Sequence, residues 1–454
     1  MSQKVGYHMG KGVRVMKSGR KLRFPVYLVA FCVTVFLAFA MLILVSYMPQ
    51  APIDEHIGES AGFLKREGNY IAIADYTDSA TLDNFTDAMI LMESKALTKY
   101  SLSYTLLNPV YSYEPTEGKV EDLFHYAYDL EPTPSWYYTR YWMGFRAVVR
   151  PLLVIMNYMQ IRQYLSYTFF FLLAVLIATI SRNLNLRTAI AFAVSIILVK
   201  PHIICISLQF SCCFLIAFLA MLLVPWLNRH EAYEKLFFME VGMLTMYFDF
   251  YTTPILTCGM PMIYLYLLRA KENRRTPVKS VLGNTAGWLA GYGLMWIAKM
   301  VLTTLLTSEN AIASAFTSFF YNTGIKGAEK VNLLDLYLSV YRRIKTAVLS
   351  DSIAEVCFAI GMAAIAGMLL YRLYKGTLYL RDFAEHPTML LIGLLPIAWF
   401  VVAARPLINH AYFQYRSIPV FFWAIGGYLC LLWKDKNNVL STNYEKNPVF
   451  HEEN

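Results

Sequence analysis

Charge is what this sequence has least of. Only 16% of its 454 residues are Asp, Glu, Lys or Arg, while the hydrophobic set reaches 57%. An average soluble domain carries about 25% charged residues, so the balance excludes an ordinary water-soluble fold. Cysteine is sparse too. The seven (Cys32, Cys205, Cys212, Cys213, Cys258, Cys357, Cys430) stand in or beside apolar runs, and none forms a CxxC pair. Neither a zinc site nor a disulfide framework is expected from that spacing. A phosphate-cradling GxxxxGK[ST] loop is also missing, which argues against a nucleotide-driven pump.

What is present is a series of apolar runs of roughly 17–25 residues, the length that crosses a bilayer core of about 30 Å. The expected fold is therefore an all-α polytopic membrane protein with about ten transmembrane helices. They fall near 24–47, 164–181, 187–201, 203–227, 236–250, 253–269, 281–307, 352–373, 388–405 and 414–433. The net charge of +9 orients helices here and does not signal nucleic acid. Residues 1–23 form a basic tail, and the pairs and groups Arg182/Arg187, Arg229/Lys235, Arg269 to Lys279, Arg372/Lys375/Arg381 and Lys434/Lys436 alternate with the spans. Placing all of them inside gives cytoplasmic N- and C-termini, the latter in the tail 434–454, in a multi-pass cell-membrane protein.

Two polar interruptions then face outward, 48–163 and 308–351 within the transmembrane domain 24–433. In the first, the stretch from Trp142 to Tyr158 carries Arg146 and Arg150 four apart, a spacing that suits an amphipathic helix lying in the interface. The second has a helical look around Val331–Val348. Loops of such length are usually functional or disordered.

The same face gathers the polar residues. In Thr81–Ile90, Asp83 and Asp87 stand four apart in an apolar decapeptide, with Thr86 as candidate N-cap. Carboxylates at a helix start are stabilised as anions and can serve as bases, although capping alone would explain them. Asp75, Asp78, Lys200, His202 and Asp249 belong to outward turns. Asp249 ends a span, where an anion opposes the helix dipole and calls for a compensating partner. Arg405, His410 and Arg416 surround the last outward turn and could hold a phosphate, Arg through its planar fork; marking the interface is the plainer role. Lys299 lies on a stripe with Tyr292 and Trp296 beside Gly291 and Gly293, pointing to a cavity or to simple snorkelling. Outward carboxylates, cations and rings such as Trp142, Tyr292, Trp296 and Tyr415 suit a phosphorylated lipid and a hydroxylated polymer. No spacing demands a metal, yet the carboxylates could take Mg²⁺ or Mn²⁺.

Five segments carry a resemblance: Leu82-Asp83-Asn84-Phe85-Thr86-Asp87-Ala88-Met89-Ile90-Leu91, Arg140-Tyr141-Trp142-Met143-Gly144-Phe145, Phe248-Asp249-Phe250-Tyr251-Thr252-Thr253-Pro254, Gly291 to Lys299, and Asn409-His410-Ala411-Tyr412-Phe413-Gln414-Tyr415-Arg416. In this order they resemble the GT-C superfamily of polytopic glycosyltransferases, closest to members from capsule and cell-wall polysaccharide loci of Gram-positive bacteria. The resemblance implies an inverting transfer from a polyprenyl-phosphate-linked sugar to a glycan or lipid-linked acceptor on the outer face. It implies Asp83 or Asp87 as the base with Asp249 second, and Arg405, His410 and Arg416 on the donor phosphate. A transporter or flippase of lipid-linked saccharides, and a polysaccharide polymerase or ligase, remain alternatives.

Overall fold

The computed structural model describes residues 22–433 apart from 74–77, 96–101, 115–117, 129–132, 138, 316–332, 350–351, 380–382, 404–409 and 411. Helix α1 (Phe24–Ser46) is apolar throughout and opens on Pro25, a residue that suits the first helical turn because its missing N–H would have no partner there. Its 23 residues extend about 35 Å at 1.5 Å per residue. Three later helices start at side-chain caps. Asn157 and Gln160 form a reciprocal capping box at α7 (Tyr158–Asn183), Asn185 caps α8 (Leu186–Ile197), and Ser207 caps α10 (Leu208–Arg229). Each cap satisfies an amide that the helix itself leaves unpaired.

Between α1 and α7 the first polar interruption folds as α2 (Gln50–Glu67), α3 (Asn84–Lys95), α4 (Leu102–Leu107), β1 (Val110–Glu114), α5 (Lys119–Ala127), β2 (Thr133–Tyr137) and α6 (Arg146–Leu153). Strands β1 and β2 pair antiparallel, Val110 opposite Tyr137 and Glu114 opposite Thr133. Apart from this short ribbon the elements of the described residues are helices, in keeping with the helical membrane fold expected. A short α9 (Pro201–Ile204) precedes α10, and α11 (Glu234–Phe248), α12 (Ile255–Lys271) and α13 (Val278–Leu306) follow. Then come α14 (Leu333–Val348), α15 (Ser352–Tyr374), α16 (Pro387–Gly393), α17 (Leu395–Val402) and α18 (Pro419–Leu432).

Each of the ten expected spans falls on helix. Among the described residues, five helices are long and apolar enough to cross a membrane by length and composition: Phe24–Ser46, Tyr158–Asn183, Leu208–Arg229, Val278–Leu306 and Tyr412–Leu432. Others, such as α8, α11 and α12, are shorter, and the chain breaks between α8 and α9 at Lys200, whose φ is +58°. Helix α12 is buried along nearly its whole length among α10, α11 and α18, which makes it the centre of the bundle.

Helices α11 and α13 cross in close contact because glycine permits it. A Cβ on Gly291 would collide with the Met239 carbonyl oxygen, and one on Gly242 with that of Trp288. The space expected beside Gly291 is thus filled by neighbouring backbone, while Gly293 has nothing within 4 Å of its missing Cβ.

The interface helix expected over 142–158 is corrected more sharply. Helix α6 spans only Arg146–Leu153, and both arginines are buried. Arg146 donates to the carbonyls of Thr105 (3.1 Å) and Leu106 (2.7 Å). Arg150 donates to the carbonyls of Val45 (2.9 Å) and Ser94. These guanidinium groups tie off the ends of α1, α3 and α4, where the last carbonyls of a helix lack internal partners. At the far end of the bundle, Arg269 pairs with Glu234, which also accepts from Ser280 (3.0 Å) and Asn284. That cluster joins the starts of α11 and α13 to the end of α12.

Candidate functional site

Helix α3 begins one turn earlier than expected, at Asn84, so the cap is Asp83 and not Thr86. The Asp83 carboxylate accepts from the Thr86 amide (3.1 Å) and hydroxyl (2.9 Å). It also accepts from the hydroxyl of Tyr412 (3.2 Å). Burial pushes its pKa up to about 6, the neighbouring Asp87 adding to the rise and the Thr86 amide opposing it.

Asp87, one turn on, serves another helix. Its carboxylate accepts from the Tyr158 hydroxyl, from the amides of Leu208 and Gln209 (both 3.1 Å) and from Ser207 Oγ (3.4 Å). It is thus a second cap on α10, supplied from 120 residues upstream. Burial raises its pKa while those donors oppose the rise, and each of its two oxygens already has a protein donor.

Asp249 differs. It follows α11 directly, and its Oδ1 accepts from the Thr252 amide (2.9 Å) and the Cys213 thiol (3.4 Å). Its Oδ2 is buried and has no partner among the described residues. Burial lifts its pKa to about 6. Three more buried oxygens without a described partner stand on or against the same turn: Thr253 Oγ1, Gln209 Oε1 and Gln414 Oε1. Gln209 reaches the turn by donating to Thr252 Oγ1 (3.3 Å), and Gln414 by donating to the Tyr251 carbonyl (3.5 Å). Tyr251 itself has φ +66°, a conformation that costs a non-glycine residue about 1–3 kcal/mol and gathers at functional sites. Its ring meets Trp399 at 4.9 Å.

Two residues past Gln414 stands Arg416, fully buried, its guanidinium 3.9 Å above the Phe210 ring. Nη2 donates to the Ser79 carbonyl (3.0 Å). Nε and Nη1 have no partner among the described residues. Ser79 Oγ in turn accepts from Lys200 (2.5 Å). His202 lies within electrostatic reach of both Lys200 and Arg416, which with burial lower its pKa. Lys200 and His202 were visible in the sequence as outward residues; only their approach to Arg416 completes a cationic group.

The remaining candidates scatter. Arg405 lies outside the described residues. His410 is exposed and stacks on Phe413 at 5.1 Å. Lys299 donates to the Leu107 carbonyl and to Thr303 Oγ1 (3.0 Å), with Glu93 and Arg146 nearby, and it shares no partner with Arg416. Trp142 is fully buried, its indole donating to the Met295 carbonyl (2.8 Å); it offers no stacking face to a ligand. Tyr415 is likewise buried, donating to the Val199 carbonyl (3.4 Å). Tyr292 stacks on Trp288 at 5.2 Å and lies within electrostatic reach of Asp249 and Tyr251, while Trp296 packs against Met300, Ala311 and Ala315.

One serine also needs placing. Gly58-Glu59-Ser60-Ala61-Gly62 fits the G-x-S-x-G pattern, but it lies inside α2, not on a strand-to-helix elbow. Ser60 Oγ donates to the His56 carbonyl and accepts from the Tyr158 amide (2.9 Å), so it is a buried structural bridge.

Among the described residues, no group of three His, Cys, Asp or Glu side chains is placed to hold a metal ion. Hydrogen-bond donors without a described partner thus stand on Arg416, and acceptors without one on Asp249, Thr253, Gln209 and Gln414; Gln414, two residues before Arg416 and bonded to the Tyr251 carbonyl, links the two groups. Comparison with family models, with curated proteins and with solved structures finds no match to this chain.

Proposed function

We propose that this protein is a polytopic membrane glycosyltransferase of GT-C type. It moves a sugar from a polyprenyl-phosphate-linked donor to a glycan or lipid-linked acceptor on the extracytoplasmic face. The observation that carries the reading is the set of unpaired polar atoms around 249–253 and Arg416. Buried polar groups are nearly always hydrogen-bonded, and an orphan costs about 1–3 kcal/mol. This set asks for one ligand with an anion at one end and several hydroxyls at the other. A sugar phosphate has that form.

Asp249 is the base in this scheme, because among Asp83, Asp87 and Asp249 it alone keeps a buried carboxylate oxygen, Oδ2, without a described partner. It takes the proton from the acceptor hydroxyl. The acceptor oxygen then forms a bond to the anomeric carbon as the bond from that carbon to the phosphate oxygen breaks, and the phosphate leaves with the electron pair. Charge grows on the phosphate during departure, so Arg416, aided by Lys200 and His202, stabilises the transition state more than the ground state. Asp83 holds Tyr412 and with it the turn that carries Gln414 and Arg416.

The test is sugar transfer from a labelled polyprenyl-phosphate sugar by membranes carrying Asp249→Asn, Arg416→Lys or Asp87→Asn at matched expression. Near-complete loss is expected for the first, and a large loss for the second, since Lys lacks the planar fork. Wild-type rates in folded Asp249→Asn protein would overturn the reading.

A further inference from the structure

The turn that carries Asp249 is held from outside by one face of α10. Gln209 and Cys213 stand four residues apart on that helix, which puts both side chains on one side of it. Gln209 Nε2 donates to Thr252 Oγ1 (3.3 Å), and Cys213 Sγ donates to Asp249 Oδ1 (3.4 Å). All four residues are buried. The helix starts at the amides of Leu208 and Gln209, both bound by Asp87, so this face is fixed at a capped end and not by the turn it grips. Oδ1 therefore takes two donors from different parts of the chain, the thiol and the Thr252 amide (2.9 Å). Oδ2 has none among the described residues.

We propose that Cys213 is a positioning residue for the base: its thiol holds Asp249 Oδ1 and so turns Oδ2 toward the acceptor hydroxyl. This rests on the transferase reading above. The Thr252 amide belongs to the same turn as Asp249 and moves with it, whereas the thiol belongs to a separate helix and fixes the plane of the carboxylate. Sulfur suits the task. A thiol is a weak donor, so it orients the carboxylate without stabilising the anion as a hydroxyl would, and the free oxygen stays basic. Burial raises the pKa of Asp249, while the Thr252 amide and the Cys213 thiol oppose the rise.

The experiment compares full-length Cys213→Ala and Cys213→Ser with wild type, each corrected for folded fraction by thermal melting. Transfer from a labelled polyprenyl-phosphate sugar is followed from pH 5 to pH 8. In Cys213→Ala, kcat is expected to fall about three- to tenfold with KM for the donor unchanged. Its pH midpoint should rise by about half a unit, because the anion loses a donor. Cys213→Ser should recover most of kcat and move the midpoint below that of wild type. Infrared titration of the protonated carboxyl band, assigned by its loss in Asp249→Asn, should show the same two shifts without any substrate. A purely structural role would lower the folded fraction in both variants and leave both midpoints in place. That result, or Ala and Ser midpoints shifted in the same direction, would overturn the proposal. Wild-type protein that transfers no sugar would overturn the transferase reading instead, and the infrared shifts would still decide the hold of the thiol on Asp249.

Discussion

The hydroxyl of Tyr412 donates to the carboxylate of Asp83 across 3.2 Å, joining residues 329 apart in sequence. Beside it, Arg416 reaches the Ser79 carbonyl. Two bonds thus fasten the first polar insertion to the last turn before α18. Tyr412→Phe removes only the hydroxyl, and the expected loss is about 1–3 kcal/mol, since the bond is to a carboxylate. Thermal unfolding of purified protein measures it. An unchanged melting temperature would show that the bond contributes nothing to the closure.

Asp87 and Asp249 should separate stability from activity. Asp87→Ala leaves the first amides of α10 and the Tyr158 hydroxyl without an acceptor, for a loss of about 1–3 kcal/mol by the usual cost of an unpaired buried donor. Transfer should fall only as the folded fraction falls. Asp249→Asn keeps the shape of the turn, so folding should hold while transfer is abolished. Parallel melting and transfer assays on both variants decide between these outcomes.

The crossing of α11 and α13 predicts opposite results for two glycines two residues apart. Gly291→Ala drives a methyl group into the Met239 carbonyl and should destabilise by about 1–3 kcal/mol as the helices separate. Gly293→Ala meets open space and should be neutral, or stabilise by up to about 1 kcal/mol through higher helix propensity. Denaturation midpoints of the two variants test the pair together.

In the proposed reaction, ionisation of Asp249 is expected to set the pH dependence of transfer. A base whose pKa is lifted to about 6 is protonated and idle below that value, so the rate should climb with pH through about 6 and then level off. A rate that is flat from pH 5 to pH 8 would remove Asp249 from the role.

Glu93 carries a separate pH signature in stability. It is buried and its Oε1 has no described partner. Burial lifts its pKa from 4.5 to about 8, against the pull of Arg146 and Lys299. A carboxyl that holds its proton more tightly when folded favours the native state most at low pH. That contribution is present below about 4.5 and is lost as pH rises through about 8. Asp83 and Asp249 behave likewise, but their loss is complete above about 6. Between pH 7 and 9 the wild type should therefore lose stability that Glu93→Gln does not, as read from denaturation midpoints across that range.

Much of the helical framework was legible because its cause is local. A run of apolar side chains needs a membrane or a core wherever it stands, and caps such as Asn157, Asn185 and Ser207 act within one turn. The polar residues were legible as a group but not in their roles. Arg146 and Arg150 have an amphipathic spacing, yet the carbonyls they serve belong to α1, α3 and α4, so burial overrode the interface pattern. Asp83 and Asp87 look equivalent as a pair four apart. Only the approach of Ser207–Gln209 makes Asp87 a cap, and only the Tyr412 turn gives Asp83 its tie.

The sequence by itself determined that the chain is helical, apolar and interrupted by two large polar insertions, because composition and periodicity act on each segment separately. Tertiary structure alone decided that Asp87 is saturated while, among the described residues, Asp249 keeps an unpaired oxygen and Arg416 unpaired donors. Hydrogen-bond saturation depends on partners that folding brings together from 36 to 337 residues away, and no local pattern encodes those distances.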